Sequence, residues 1–244
     1  MEKKNSIEVC FSPALFEHIL TCGSFSVVVV DVLRATTSIC SAFENGVDRI
    51  IPVASAEEAF SYKEKGYLIA AEKNGIKLDF ADFGNSPDNF MQDSVRGRTI
   101  VYNTTNGTQT IKMVSDHKPV VIASFSNLSV VAEFIAKQKQ NVVILCAGWK
   151  HKFNLEDSLF AGALTASLLQ YDNMYMNCDS SQAAVDMWSV AKDNPLAYIQ
   201  KAMHRERLRK LKLDSILEYC FTPDTSRAVP VYDGFEIKNV LDYE

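Results

Sequence analysis

The sequence is poor in the features that mark several large protein classes. None of its six cysteines, Cys10, Cys22, Cys40, Cys146, Cys178 and Cys220, stands in a C-x-x-C pair, so the paired thiolates of a structural zinc site are missing. The four histidines, His18, His117, His151 and His204, fall at no metal-ligand spacing. No apolar run approaches the ~20 residues of a membrane helix, and the opening MEKKNSIEVCFSP holds no signal-peptide core. Positive charge is not in excess: 25 basic against 30 acidic residues leave a net charge of -5. That balance argues against a nucleic-acid or anionic-membrane partner, either of which needs a basic face. Gly/Ser-rich linkers, fixed-period repeats, the G-x-S-x-G elbow and the Walker G-x-x-x-x-G-K-[ST] loop are all absent. Several cysteines lie in apolar segments such as VVILCAG. Buried thiols in a reducing compartment are therefore expected, and the protein is read as cytoplasmic.

What is present is an ordinary globular composition, 47% apolar and 23% charged over 244 residues, ample for a sizeable core. Strand-length apolar runs alternate with amphipathic stretches of helical length. SIEVCF, FSVVVVDVL, RIIPVA, YLIAAE, RTIVYNTT, PVVIASF and NVVILCAG read as strands. Five clear helices are PALFEHILT, TTSICSAFENG, SAEEAFSYKEKG, SNLSVVAEFIAKQK and NLEDSLFAGALTASLLQ. Pro13 opens the first, Gly46 caps the end of the second, a Ser55–Glu58 capping box opens the third, and Asn154 caps the last. This order predicts an α/β fold, layered α/β/α, with a mixed, largely parallel sheet. One domain over 1–244 is expected, with two intertwined α/β subdomains as the alternative. A mostly helical segment runs from about 179, and AVPVYDG reads as a late short strand. Tyr171, Met174, Tyr175 and Met176 suit either core or a homo-oligomer interface.

In open α/β sheets the ligand gathers at the carboxyl ends of strands, so whatever follows each apolar run is a site candidate. In VVVVDVLRATTS, Thr36, Thr37 and Ser38 can cap a helix and offer hydroxyls, while Arg34 adds a planar fork for phosphate, sulfonate or carboxylate. Asp31 suits Mg²⁺, which takes hard oxygen ligands, or attack on phosphorus as a nucleophile. An Asp31–Arg34 ion pair above a helix cap is the alternative. In NTTNGT, Thr104, Thr105 and Thr108 supply hydroxyls, and Asn106 and Gly107 form a turn. A helix starting there would present free N–H groups to an oxyanion; a β-hairpin at Asn–Gly is the alternative. In FNLEDSLFAG, Glu156 and Asp157 sit in a first helical turn and diverge by about 100°. One could hold metal or water while the other meets backbone amides, or both are ordinary first-turn acids. WKHK, with Lys150, His151 and Lys152, reads as a charged surface loop. DFGNSP offers Asn85 and Ser86 as ligand donors, or is a structural turn.

Taken in order, DVLRATTS, DFGNSP, TTNGT, SFSN, CAG and FNLEDSLFAGAL resemble the 2-phosphosulfolactate phosphatase (ComB-like) family from about Ile7 to Tyr232. The VPV at Val229 to Val231, after Asp224, is similar to the family's tail. The resemblance implies a Mg²⁺-dependent phosphatase that converts 2-phospho-3-sulfolactate to 3-sulfolactate and inorganic phosphate, a step of coenzyme M biosynthesis. On that basis Asp31 and Arg34 are the expected catalytic residues, and Asp31, Glu156 and Asp157 the expected metal ligands. Thr36, Thr37, Asn85, Ser86, Thr104, Thr105, Asn106, Gly107 and Thr108 are expected to contact a small anionic substrate. Lys150, Lys152 or Arg227 would cover its sulfonate. A phosphatase for another small phospho-acid and a non-catalytic anion-binding module are the alternatives. The sequence departs from the family pattern in three places. AAEKNG keeps Glu72 but no following arginine, Asn103 replaces a threonine, and in HRERL the expected glycine after His204 is missing.

Overall fold

The computed structural model describes residues 4–203, 209 and 214–243; the expectation for His204 lies outside them. In chain order the strands are β1 (Asn5–Cys10), β2 (Phe25–Val30), β3 (Arg49–Pro52), β4 (Leu68–Lys73), β5 (Ile76–Lys77), β6 (Thr99–Asn103), β7 (Val120–Ala123), β8 (Asn141–Cys146), β9 (Met174–Met176), β10 (Pro230–Tyr232) and β11 (Ile237–Asn239). The principal helices are α1 (Ala35–Glu44), α2 (Ala56–Lys63), α3 (Gly107–Met113), α4 (Leu128–Lys137), α5 (Leu155–Leu168) and α6 (Asp179–Ala191). The strands form one sheet in the order β5-β4-β6-β3-β11-β10-β7-β2-β8-β1-β9. The expected mixed, largely parallel sheet between helical layers is what the chain builds.

The sheet consists of two parallel blocks. One is β4-β6-β3 and the other is β7-β2-β8-β1-β9. The antiparallel pair β10–β11 joins them, bonded to β7 on one side and β3 on the other. Three successive antiparallel pairings mean that the two blocks run in opposite senses. Strands β2 and β6 stand five places apart, about 24 Å on a flat sheet at about 4.8 Å per step. A twist of about 20–25° per step turns one against the other by about 110°. The ends of β2 and β6 nevertheless meet, with Gly107 against Asp31 and Ala35, over a core that both blocks share.

Burial explains the run of valines. Val27 to Val30 are all fully buried, and they alternate between two cores. Val28 and Val30 pack with Ile144, Leu159 and Leu164 under α4, α5 and α6. Val27 and Val29 join Ile39, Ile100, Tyr102 and Ile111 in a core that both blocks share. A third, smaller core around Ile51, Ile69 and Val101 lies under α2. A strand covered on both faces has no polar side to show, which is why β2 reads as a continuous apolar run.

Local expectations hold in most places. Gly46 takes φ +86° after α1. Ser55 Oγ accepts from Glu58 N at 3.1 Å, while Glu58 Oε2 accepts from Ala54 N rather than from the cap residue. The Asn–Gly of NTTNGT opens α3, so the hairpin alternative is set aside. PALFEHILT is shorter and tighter than expected, a 3₁₀ helix over Pro13–His18. Among the described residues no helix is long and apolar enough to cross a membrane.

All six cysteines are free thiols, and Cys10, Cys40, Cys146 and Cys220 are buried. Burial pushes Cys10 up to about 11 and Cys40 and Cys220 up to about 12. A thiol at 11 is about one part in a thousand thiolate at pH 8, and the thiolate is the reactive form. A thiol reagent at pH 8 should therefore modify exposed Cys22 in the native protein. The four buried thiols should react only after denaturation, as peptide mass mapping would show.

Candidate active site

Strand β2 ends at Val30, and the next residues form a tight turn into α1. Asp31 N donates to Thr36 Oγ1 and Thr36 N donates back to Asp31 O, both at 3.0 Å. Thr37 Oγ1 donates to Val32 O at 2.8 Å. The sequence offered Thr36 and Thr37 as substrate contacts. Both side chains are instead fully buried and brace this turn. The turn leaves Asp31 and Arg34, 6% and 5% exposed, at the head of α1. The Leu33–Arg34 peptide is cis. Arg34's charge reaches both the Tyr102 hydroxyl and the Cys220 thiol, opposing the rise that burial imposes on each.

Strand β6 ends at Asn103, and the loop after it meets Asp31 from the other block. A Cβ at Gly107 would stand 2.5 Å from Ala35 Cβ, 2.9 Å from Asp31 Oδ2 and 3.4 Å from Thr104 Oγ1. Only glycine permits that approach, so this position brings the starts of α1 and α3 together around the Asp31 carboxylate. Thr104 and Thr108 staple the loop: each backbone N–H donates to the other's hydroxyl, at 3.1 and 3.2 Å. Asn106 Oδ1 accepts from Lys150 N at 3.1 Å. Asn103, where a threonine was expected, donates to Val53 O at 3.0 Å and ties β6 to the end of β3.

The acidic start of α5 forms a third wall. Asn154 caps the helix by accepting from Asp157 N at 3.2 Å. Asp157 is fully buried. Its Oδ1 accepts from Val32 N at 2.8 Å, and its Oδ2 accepts from Gly148 N at 3.0 Å and Asn154 Nδ2 at 2.9 Å. One carboxylate thus pins the loop after β2 to the loop after β8. Burial, with the nearby carboxylates of Asp31 and Glu156, raises Asp157 well above the usual range against the pull of these donors. Glu156, also fully buried, is near enough for its charge to reach Asp157, and it lines a cavity of about 500 Å³ with Trp149, Lys152, Phe153 and Lys201.

Two further loops approach the cluster. In DFGNSP, Asn85 Oδ1 accepts from the Tyr102 hydroxyl, and Ser86 Oγ donates to Asp88. Ser41 Oγ of α1 donates to Pro87 O at 3.1 Å, which docks this loop against the helix. Ser38, one turn into α1, is fully buried, with its hydroxyl near that of Tyr102. WKHK is a reverse turn in which Lys150 and His151 take φ +52° and +59°. It covers a cavity of about 170 Å³ lined by Thr105, Asn106, Gln109 and Lys150.

The expected residues are therefore gathered, but with divided roles. Asp31, Arg34, Asn85, Asn106 and Gly107 meet at the seam between the blocks, with Lys150 at the rim. Thr36, Thr37, Ser86, Thr104, Thr105, Thr108 and Asp157 are engaged in holding the loops. Arg227 is not part of the cluster. Its amide donates to Glu44, at the far end of ten-residue α1, about 15 Å from Arg34 at 1.5 Å per residue. SFSN is a corner: Asn127 accepts from Ser124 N and donates to Ile122 O and Ala228 O. Tyr102 was the least visible member of the cluster, since it falls inside the apolar run of β6.

Fold and site define a layered α/β protein whose polar cluster sits where such sheets hold their ligands. The chain belongs to the 2-phosphosulpholactate phosphatase family, whose family model matches residues 10–234, and by that membership it is a phosphoric monoester hydrolase. It is 38% identical over 204 residues to a Thermotoga maritima protein named "Probable 2-phosphosulfolactate phosphatase", covering 83% of this chain and 87% of the relative. A protein of the same name from Caldanaerobacter subterraneus subsp. tengcongensis is 34% identical over 222 residues, 89% of this chain and 92% of the relative. One from Clostridium acetobutylicum is 33% identical over 213 residues, 86% of this chain and 90% of the relative.

Proposed function

We propose that this chain is a cytoplasmic, Mg²⁺-assisted phosphatase that hydrolyses 2-phospho-3-sulfolactate to 3-sulfolactate and inorganic phosphate. The observation that supports it most is the seat of Asp31. A nearly buried carboxylate lies against Gly107 of one block, with Thr104 on the far side of that glycine's space, while Arg34 stands three residues along in the other. Phosphoryl transfer needs this juxtaposition: cationic and N–H groups around the non-bridging oxygens, and a carboxylate beside the phosphorus. The substrate carries about four negative charges near neutral pH, given a phosphate second pKa of about 6. Arg34 would hold the phosphoryl group, and Lys150 at the rim would meet the sulfonate.

Mg²⁺ commonly uses one or two carboxylates and keeps several waters. Among the described residues no three His, Cys, Asp or Glu side chains are grouped to hold a metal, so the proposal is a sparsely held ion and not a protein cage. Asp31 fits as its anchor and Glu156 as a second carboxylate. Asp157 does not, because both its oxygens already accept N–H groups. When bound, the ion would neutralise phosphoryl oxygens.

Phosphate release from a panel of 2-phospho-3-sulfolactate, phospholactate and phosphoglycolate tests this. The sulfonate substrate should lead in kcat/KM by at least ~10-fold, the scale of one well-placed polar contact. EDTA should abolish turnover and Mg²⁺ restore it. Equal rates on the sulfonate-free acids would move the substrate assignment. Turnover indifferent to EDTA would remove the metal, and no turnover on any member would leave an anion-binding module.

A further inference from the structure

We propose that Glu72 is a positioning residue that holds the β6–α3 loop in place against Asp31, a role that rests on the phosphatase reading of that site. Glu72 lies near the end of β4 and is 6% exposed. Strands β4 and β6 are parallel with Ala71 opposite Asn103, so Glu72 stands level with the loop that follows β6. Its Oε1 accepts from Thr105 N at 2.7 Å, and its Oε2 accepts from Thr105 Oγ1 at 3.1 Å. The same Oε2 accepts from Gly75 N, and Thr105 Oγ1 accepts from Asn74 N at 2.9 Å. Asn74 and Gly75, at φ +56° and +85°, turn these two amides toward the carboxylate and the hydroxyl. The result is a closed ring of hydrogen bonds between the β4–β5 turn and Thr105.

Two features make this more than a turn. First, a buried carboxylate is a costly way to close a two-residue strand pair, since its desolvation must be offset by every donor it meets. What it uniquely supplies is acceptance from three donors at once, two of them on Thr105. Second, Thr105 is one residue from Asn106, fixed by Lys150 N, and two from Gly107, which abuts Asp31 and Ala35. Glu72 thus sets the distance between the two halves of the site without reaching the substrate. It also engages the Thr105 amide and hydroxyl, which the sequence had offered as substrate contacts.

The test compares E72Q, E72D, T105V and the E72Q/T105V pair with the wild type. In E72Q one acceptor oxygen becomes a donor facing donors, so the ring opens. We expect kcat to fall about 30-fold with KM within about 3-fold, the pattern of a lost transition-state alignment. The melting temperature should stay within a few degrees, and E72D, which keeps the charge, should recover part of kcat. The double variant should be no more than about 2-fold worse than E72Q, because the two residues act through one ring. Wild-type kcat in E72Q, a loss matched by unfolding, or effects that multiply would overturn the proposal. Should the wild type turn over no phospho-acid, the phosphatase reading fails by itself. The ring is then judged by amide hydrogen exchange over residues 104–107, expected to be at least tenfold faster in E72Q; unchanged exchange would overturn it.

Discussion

Asp31→Asn is expected to lower kcat at least ~100-fold, the scale of one preorganised electrostatic element, while the protein stays folded. The turn around Asp31 is made by its backbone, which exchanges hydrogen bonds with Thr36, so an isosteric side chain leaves those bonds in place. The charge is what changes. Removing it also relieves Asp157, whose carboxyl is held above the ordinary range by burial and then by Asp31. A raised folded-state value means that Asp157's contribution to stability is fullest below the ordinary carboxylate range and is lost as pH rises through the raised value. The melting-temperature difference, variant minus wild type, should therefore be more positive at pH 8 than near pH 4. Near-normal turnover would sink the central role of Asp31. The stereochemical course at phosphorus in the wild type then identifies the attacker: net retention, from two in-line displacements, means that the carboxylate itself attacks, and net inversion means that water does.

Gly107→Ala should be nearly as severe for a different reason. The added methyl meets Ala35 Cβ at 2.5 Å and Asp31 Oδ2 at 2.9 Å, so the heads of α1 and α3 must part. A shift of about 1 Å at reacting groups can cost about 100-fold in rate, and overpacking costs about 1–3 kcal/mol. That stability loss corresponds to about 2–12 °C in melting temperature for a chain of this size. Adding Ala35→Gly removes the shorter of the two contacts and should restore stability more fully than rate. Wild-type kinetics in Gly107→Ala would show that the seam has slack that these distances do not allow.

Much of this was legible in the sequence because the relevant physics is local. A strand covered on both faces must be apolar throughout, and the charged residues that interrupt such a run must lie at the sheet's edge. Asp31 and Arg34 follow from that alone. Asn154 as a cap is equally local, resting on a residue three positions away. The strand order of the sheet is not local. Strands of two or three residues, such as β5, β9 and β11, are too short to show a period, yet β11 and β10 set the relative sense of the two blocks. Hydroxyl direction is also hidden. Thr37 meets Val32 O only because the chain bends sharply after β2, and Asp157 gains its third N–H group from Val32, far away in sequence. Arg227 has the right charge for the substrate but hangs from the wrong end of α1.

The hairpin β10–β11 sets the order in which this protein can become itself. A ribosome delivers both parallel blocks, and every residue of the cluster around Asp31, before residue 230 emerges. Until then β7 and β3 each present an unbonded edge, a template for pairing with another chain. The last strands cover both edges at once and fix the angle at which β2 and β6 face each other. Chemistry written in the first two thirds of the chain thus waits on contacts between residues nearly two hundred apart, such as Ile50 with Ile237. Pairings of such long range form slowly. The seam around Asp31 is expected to be among the last things to close.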